Sequence, residues 1–420
     1  MINIRDYAAH SCGGNDWTQA FIRAIDDMKQ QGGGVLTVPA GDYPTGSIRL
    51  YDNMTLNIES GAMVRFHRDE NAFPVIQGEY EGNQGPVYQA CIYAEDAKNI
   101  TVTGYGTLNG QGDYWWEQAR THTLKHPRPH LVCFLRCEHV VLENVNLINS
   151  PVWTVHPLRC RNVIIRGLNI CNPYHSPNTD GIDPDGCQDV RISDCTIDVG
   201  DDCIAVKSGT EKTPDRQPSE RIIITNCHFL HGHGGVVLGS EMSGGVRNVV
   251  VSSCVFSGTD RGVRLKTRRG RGGKVEGIQL TNLTMENVVC PFVFNMYYGG
   301  RVALPEEKYY WDKSPLPVDE RTPALRDVSI TGVRVRGATG SAGFFYGLPE
   351  MPVEDVSISD VIVEMSDGYV EESGMMANSP DLVRAGFYLR NANNVALKNV
   401  RLLGAATEML LIDDSVRLAE

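Results

Sequence analysis

No apolar run in the 420 residues approaches the roughly 18 expected of a membrane-spanning helix. The opening MINIRDYAAH also lacks the charged-then-apolar layout of a secretory leader. Both absences point to a soluble chain that works in the cytoplasm. Positive charge is scarce as well: 39 Lys and Arg stand against 51 Asp and Glu, a formal net charge of −12. That balance argues against a general nucleic-acid or membrane-surface binder. The twelve cysteines show no CxxC and no Cys/His spacing of a zinc site, and a disulfide framework is expected only of a secreted chain. Against this acidic background one stretch stands out. RGVRLKTRRGRGGK, Arg261 to Lys274, is half basic and contains no acid.

What the sequence does contain, from about residue 97 onward, is a repeat. Copies such as CEHVVLENVNL, CRNVIIRGLNI, CQDVRISDCTI, SERIIITNCHF and VRNVVVSSCVF each read as two short alternating strands joined by a tight polar turn. From Cys137 to Val275 the copies begin 23 to 32 residues apart. That period suits one coil of a right-handed parallel β-helix and is too short for a propeller blade of roughly 40 to 45 residues. The expectation is an all-β fold, a single solenoid domain over 1–420, with the cap and first strands in 1–50. The register also accounts for cysteines. Cys195, Cys227 and Cys254 occupy the position filled by Val145, Leu168 and Leu283 in other copies, so they are expected in the core as small apolar residues. One position earlier, Asn144, Asp194, Asn226, Asn282 and Asn399 mark a polar ladder along a turn.

A solenoid needs its ends covered. NDWTQAFIRAIDDMKQQGG is expected to form an N-terminal capping helix, with Asp16 as N-cap, Phe21, Ile22, Ile25 and Met28 on the apolar face, and Gly32 past the end. Departures from the period mark loops, the largest near 111–130, 209–218 and 297–322. Trp115 and Trp116 in the first of these either stack on a ligand or pack the loop base.

Three motifs occupy successive coils: PNTDGID (177–183), VGDDCIAVKSG (199–209) and HGHGG (231–235). RLK (264–266), inside the basic run, follows one coil later. The separations Asp180 to Asp201, Asp201 to His233 and His233 to Arg264 are 21, 32 and 31 residues, each close to one turn. All four motifs therefore fall on one strip at about 4.8 Å per coil. Carboxylates crowded together resist joint ionisation, which favours a protonated acid beside an ionised base. Glycosidic-bond hydrolysis requires that combination. Successive strand residues point to opposite faces, so Asp201 and Asp202 can both face outward only at a bend, which Gly200 permits. His231, Asp183 and Asp185 read as flanking or turn residues.

NTD, GDD, GHG and RLK, in this order and at these separations, resemble the motifs of the polygalacturonases, family 28 of the glycoside hydrolases. The resemblance extends over nearly the whole chain, including GGGVLTVPAGDYPTGSIRL and LNGQGDYWW. The family's fourth motif is usually Arg-Ile-Lys, and Leu265 is a conservative departure. The resemblance implies hydrolysis of α-1,4-galacturonosidic linkages of pectin-derived oligogalacturonides with inversion, on a right-handed β-helix, without a metal or other cofactor. It implies Asp201 as general acid, Asp180 and Asp202 as the pair that activates water, and His233 as the group that helps set the protonation of the acid. Arg264 and Lys266 would grip the sugar carboxylate and Asn178 would line the same subsite. A tyrosine, Tyr297 or Tyr298, would complete it.

On this reading the basic run serves an anionic sugar that the acidic protein would otherwise repel. Arg264 and Lys266 lie in the strip, and Arg268, Arg269 and Arg271 extend into a loop that either meets a further sugar or is simply solvated. The insertions at 111–130 and 297–322 are long enough to close one end of a groove, which favours an exo-acting enzyme that takes residues from the non-reducing end. The alternatives are a hydrolase of rhamnogalacturonan-type or decorated oligosaccharides, a calcium-dependent pectate lyase on the same fold, and a non-catalytic carbohydrate-binding β-helix.

Overall fold

Alternation within each repeat copy becomes a strand with one buried row. In Glu138–Glu143, Val140 and Leu142 are fully buried while their neighbours are not. Asn144 then turns the chain into the short strand Asn146–Ile148, whose Leu147 points inward again. The computed structural model describes residues 2–299, 307–369, 372–374, 376 and 379–419. Its strands stack in parallel register, coil upon coil, and form two units, Met1–Asp201 and Asp202–Glu420. Each is built of coils of a right-handed parallel β-helix.

In the N-terminal unit, Val140, Val163 and Val190 lie side by side on adjacent strands, as do Leu142, Ile165 and Ile192. A second sheet in this unit runs through Ile48–Leu50, Ile92–Glu95, Val132–Leu135 and Val155–Leu158. An antiparallel hairpin, Val75–Tyr80 with Asn83–Tyr88, departs from the parallel pattern. In the C-terminal unit, Val249, Ile278, Val328, Val356 and Val395 form one such column. Its second sheet has seven strands, Ile204–Val206, Val236–Gly239, Arg261–Lys266, Cys290–Asn295, Ser341–Tyr346, Ala385–Arg390 and Leu410–Leu411.

The capping helix spans Thr18–Gln30 and differs from expectation in two details. Trp17, not Asp16, holds the N-cap position; Asp16 still serves the helix end, its Oδ1 accepting from the Thr18 amide at 2.9 Å. Ile22 is 40% exposed, and the buried face is Ala20, Phe21, Ala24, Ile25 and Met28, because the helical period brings these five to one side and turns Ile22 away from it. No described helix is long and apolar enough to cross a membrane. Cys195, Cys227 and Cys254 are buried, and every cysteine is a free thiol.

The polar ladder has a conformational cause in addition to its amides. Asn144, Asp194, Asn226, Asn282 and Asn399 all have φ between 52° and 62°. Only glycine and the short polar residues adopt this left-handed conformation readily. Asn399 also donates to Asp360 one coil away at 2.6 Å.

Candidate active site

The N-terminal unit carries Asn178, Asp180 and Asp201. Asp180 is 3% exposed, and its carbonyl accepts from the Thr154 amide of the preceding coil at 2.8 Å, which fixes the backbone that presents it. Asn178 takes a left-handed turn, and its Oδ1 accepts from Arg128 Nη2 at 2.8 Å. Arg128 is itself tied to the carbonyls of Pro151 and Pro177 through Nη1. This arginine was not singled out by the sequence, although it lies inside the insertion expected near 111–130. Thr179 locks the same loop, with its Oγ1 2.5 Å from Ser176 Oγ and accepting from the Gly200 amide at 3.3 Å. Gly200 and Asp201 form the anticipated bend. A Cβ at Gly200 would lie 2.3 Å from the Ser176 carbonyl, so the bend can press against this loop only as glycine.

The C-terminal unit carries Asp202, His233, Arg264, Lys266 and Tyr298. On Arg261–Lys266 the buried Leu265 points to the core, so Arg264 and Lys266 share the other face. Lys266 Nζ donates to Asp202 Oδ2 at 2.7 Å, and both groups are almost fully buried. Burial alone would push this ammonium down; the Asp202 carboxylate, then Tyr298, outweigh it and leave Lys266 above the ordinary lysine value. The Tyr298 ring lies 5.0 Å from Lys266 Nζ and 5.2 Å from the Arg264 guanidinium. His233 is half-buried in the turn that enters Val236–Gly239. The following glycine is needed there, because a Cβ at Gly234 would meet Val237 at 2.5 Å and Asp202 Oδ1 at 3.3 Å. Lys207 and Glu241 stand nearby as a buried pair at 3.2 Å. Despite burial, which opposes it, Lys207, Arg271 and Lys266 pull the Glu241 carboxyl down to about 2. Lys207 sits in the quoted GDD segment, but a lone lysine there gave no signal of its own.

Of the two tyrosines, Tyr298 is the one beside Arg264 and Lys266. Tyr297 is buried against Lys313, whose Nζ is 3.6 Å from its ring centre. The loop cations depart from both readings offered above, being neither solvated nor available to a sugar. Arg268 and Arg271 pair with Glu211 at 3.0 and 2.5 Å. Arg269, 1% exposed, spends all five donors on Glu350 and on the carbonyls of Tyr309, Asp312 and Ser314. Glu211 belongs to the insertion near 209–218, and the Tyr309–Ser314 carbonyls to that near 297–322; residues 300–306 of the latter lie outside the described residues. Trp115 and Trp116 pack the loop base on the helix Gly112–Arg120. Trp116 Nε1 donates to the Ser150 carbonyl at 3.0 Å, and Trp115 meets Phe73 edge-on at 5.2 Å. His231 is exposed, while Asp183 and Asp185 are buried, with Asp185 Oδ2 3.6 Å from His156 Nε2.

The hairpin Val75–Tyr80/Asn83–Tyr88 covers the outward face of the N-terminal unit's second sheet. Ile76 packs against the cluster of Ala90, Tyr93, Cys133, Leu135 and Leu158, Glu79 pairs with Arg159 at 3.0 Å, and Tyr80 stacks on Trp153 at 6.4 Å. The hairpin lies before the region in which the repeat is legible, so no periodic signal marks it.

Coils of a parallel β-helix bearing carboxylates, a histidine and buried cations define a polysaccharide-processing enzyme of the solenoid class. The sequence matches the family model for glycosyl hydrolases family 28 over residues 30–379, and the chain belongs to that family. It is a glycoside hydrolase of the polygalacturonase type. A probable polygalacturonase of Vitis vinifera is 33% identical over 83% of this chain and 71% of its own length. An endo-polygalacturonase of Pectobacterium carotovorum is 30% identical over 67% of this chain and 72% of its own. Among solved structures, a hyperthermoactive exopolygalacturonase from Thermotoga maritima superposes with a TM-score of 0.80 at 30% identity, covering 96% of this chain and 91% of that one.

Proposed function

We propose that this enzyme removes single galacturonate residues from the non-reducing end of pectin-derived oligogalacturonides, with inversion at the anomeric carbon. Asp201 gives its proton to the leaving oxygen. Asp180 and Asp202 hold and activate the water that attacks from the opposite side of the ring. His233 helps to set the protonation of Asp201. Arg264 and Lys266 take the carboxylate of the sugar, Asn178 lines the same subsite, and Tyr298 packs beside both cations.

The observation that carries the exo reading is the hairpin 75–88 laid over the outward face of the coils that precede Asp180. A polymer lying along that face cannot run on past the hairpin, so cleavage is restricted to chain ends. The likeness to the Thermotoga maritima enzyme supports the same reading. A time course on polygalacturonate tests it. Monomer from the first minutes with little fall in viscosity is expected, whereas early mixed oligomers with a rapid viscosity drop would overturn it. Proton NMR of the first-formed anomer tests inversion separately. Free thiols at every cysteine are compatible with a reducing compartment, and we assign the enzyme to the cytoplasm, acting on imported oligomers.

A further inference from the structure

Beneath the hairpin, three side chains that the reaction does not use converge within the N-terminal unit. Cys133 and His156 are direct partners on the adjacent parallel strands Val132–Leu135 and Val155–Leu158. His130 reaches the same place from just before the first strand, its ring centre 4.7 Å from that of His156. One donor atom from each of the three lies within 4.8 Å of the others. We propose that His130, Cys133 and His156 bind a borderline-soft divalent cation of the zinc class.

The chemistry of the donors supports this. Two imidazoles and a thiolate suit such an ion, and suit magnesium or calcium poorly. All three residues are at least nine-tenths buried, and His130 Nε2 has no hydrogen-bond partner. An unpaired polar nitrogen in an apolar setting is costly unless something takes its lone pair. Asp185 Oδ2 lies 3.6 Å from His156 Nε2. A carboxylate close behind a ligating imidazole helps to orient the ring.

Charge balances locally. A bound cation forms the metal–sulfur bond while the S–H bond breaks and one proton leaves to solvent. Two positive charges then face one thiolate and one Asp185 carboxylate. The ion would clip the segment before Val132 and the next two coils together under the hairpin, with no part in hydrolysis. No spacing rule exposes such a site, because the coil register, not the sequence, brings residue 156 beside residue 133.

The test uses the full chain, stripped with a chelator and titrated with cobalt(II). One cobalt per chain is expected, with a thiolate-to-cobalt charge-transfer band in the near ultraviolet that zinc then abolishes by displacement. Cys133→Ser should remove the band, and Asp185→Asn should weaken cobalt affinity by roughly 10- to 100-fold. Wild-type protein that takes up no cobalt, or takes it up without the thiolate band, overturns the proposal whether or not the variants fold. A band that persists in folded Cys133→Ser overturns it too, since another cysteine would then be the ligand.

Discussion

Lys266 shows how one side chain serves two charges at the residue scale. Its ammonium meets Asp202 at 2.7 Å and shares the Tyr298 ring with Arg264. Lys266→Ala therefore removes a charge-assisted contact and leaves the buried Asp202 without that partner. The variant should lose affinity for galacturonides far more than for matching neutral galactosides, and so should Arg264→Ala. Equal losses for both ligand classes, measured by calorimetry, would assign these cations to the fold instead. Asp201→Asn keeps size and shape but cannot act as an acid, so it should retain its circular dichroism and most ligand affinity while losing at least ~10²-fold in turnover. Glu241 makes a prediction about pH. Its folded value of about 2 lies below that of an unfolded glutamate, so the stability it supplies is present above the unfolded value of about 4.3 and is lost as pH falls toward 2. Allowing for its partial exposure, this amounts to roughly 2 kcal/mol. Acid unfolding of Glu241→Gln should show a correspondingly flatter dependence over that range.

Turns rather than strands hold the less obvious information at the scale of elements. The strands were readable from alternation alone, because a half-buried parallel strand needs little more than an apolar residue at every second position. The ladder asparagines were readable as a ladder, but their positive φ was not, since amide stacking and left-handed geometry select the same residue types. The two causes separate on mutation. If conformation dominates at Asn144, where φ is 62°, Asn144→Ala should cost about 1–2 kcal/mol in thermal or chemical unfolding, and Asn144→Gly less than half of that. Equal costs would return the ladder to its hydrogen bonds. The candidate catalytic residues were legible for a different reason. Four short motifs at one-coil intervals constrain each other, while Arg128, Lys207 and the hairpin 75–88 act singly and leave no periodic trace.

Taken whole, the molecule turns most cations of its basic run inward. Of the basic run that stands out against a net charge of −12, Arg264 and Lys266 lie beside Tyr298, while Arg268, Arg269 and Arg271 are matched by Glu211 and Glu350. Sequence inspection could not show this, because each carboxylate lies some 60 to 80 residues from its partner. The run and the insertion near 209–218 are accordingly one heritable module. Anyone grafting loops between family members to alter chain-length preference must move the two together. A graft of 209–218 alone would strand two guanidiniums, and the resulting failure of expression would look like a loss of activity.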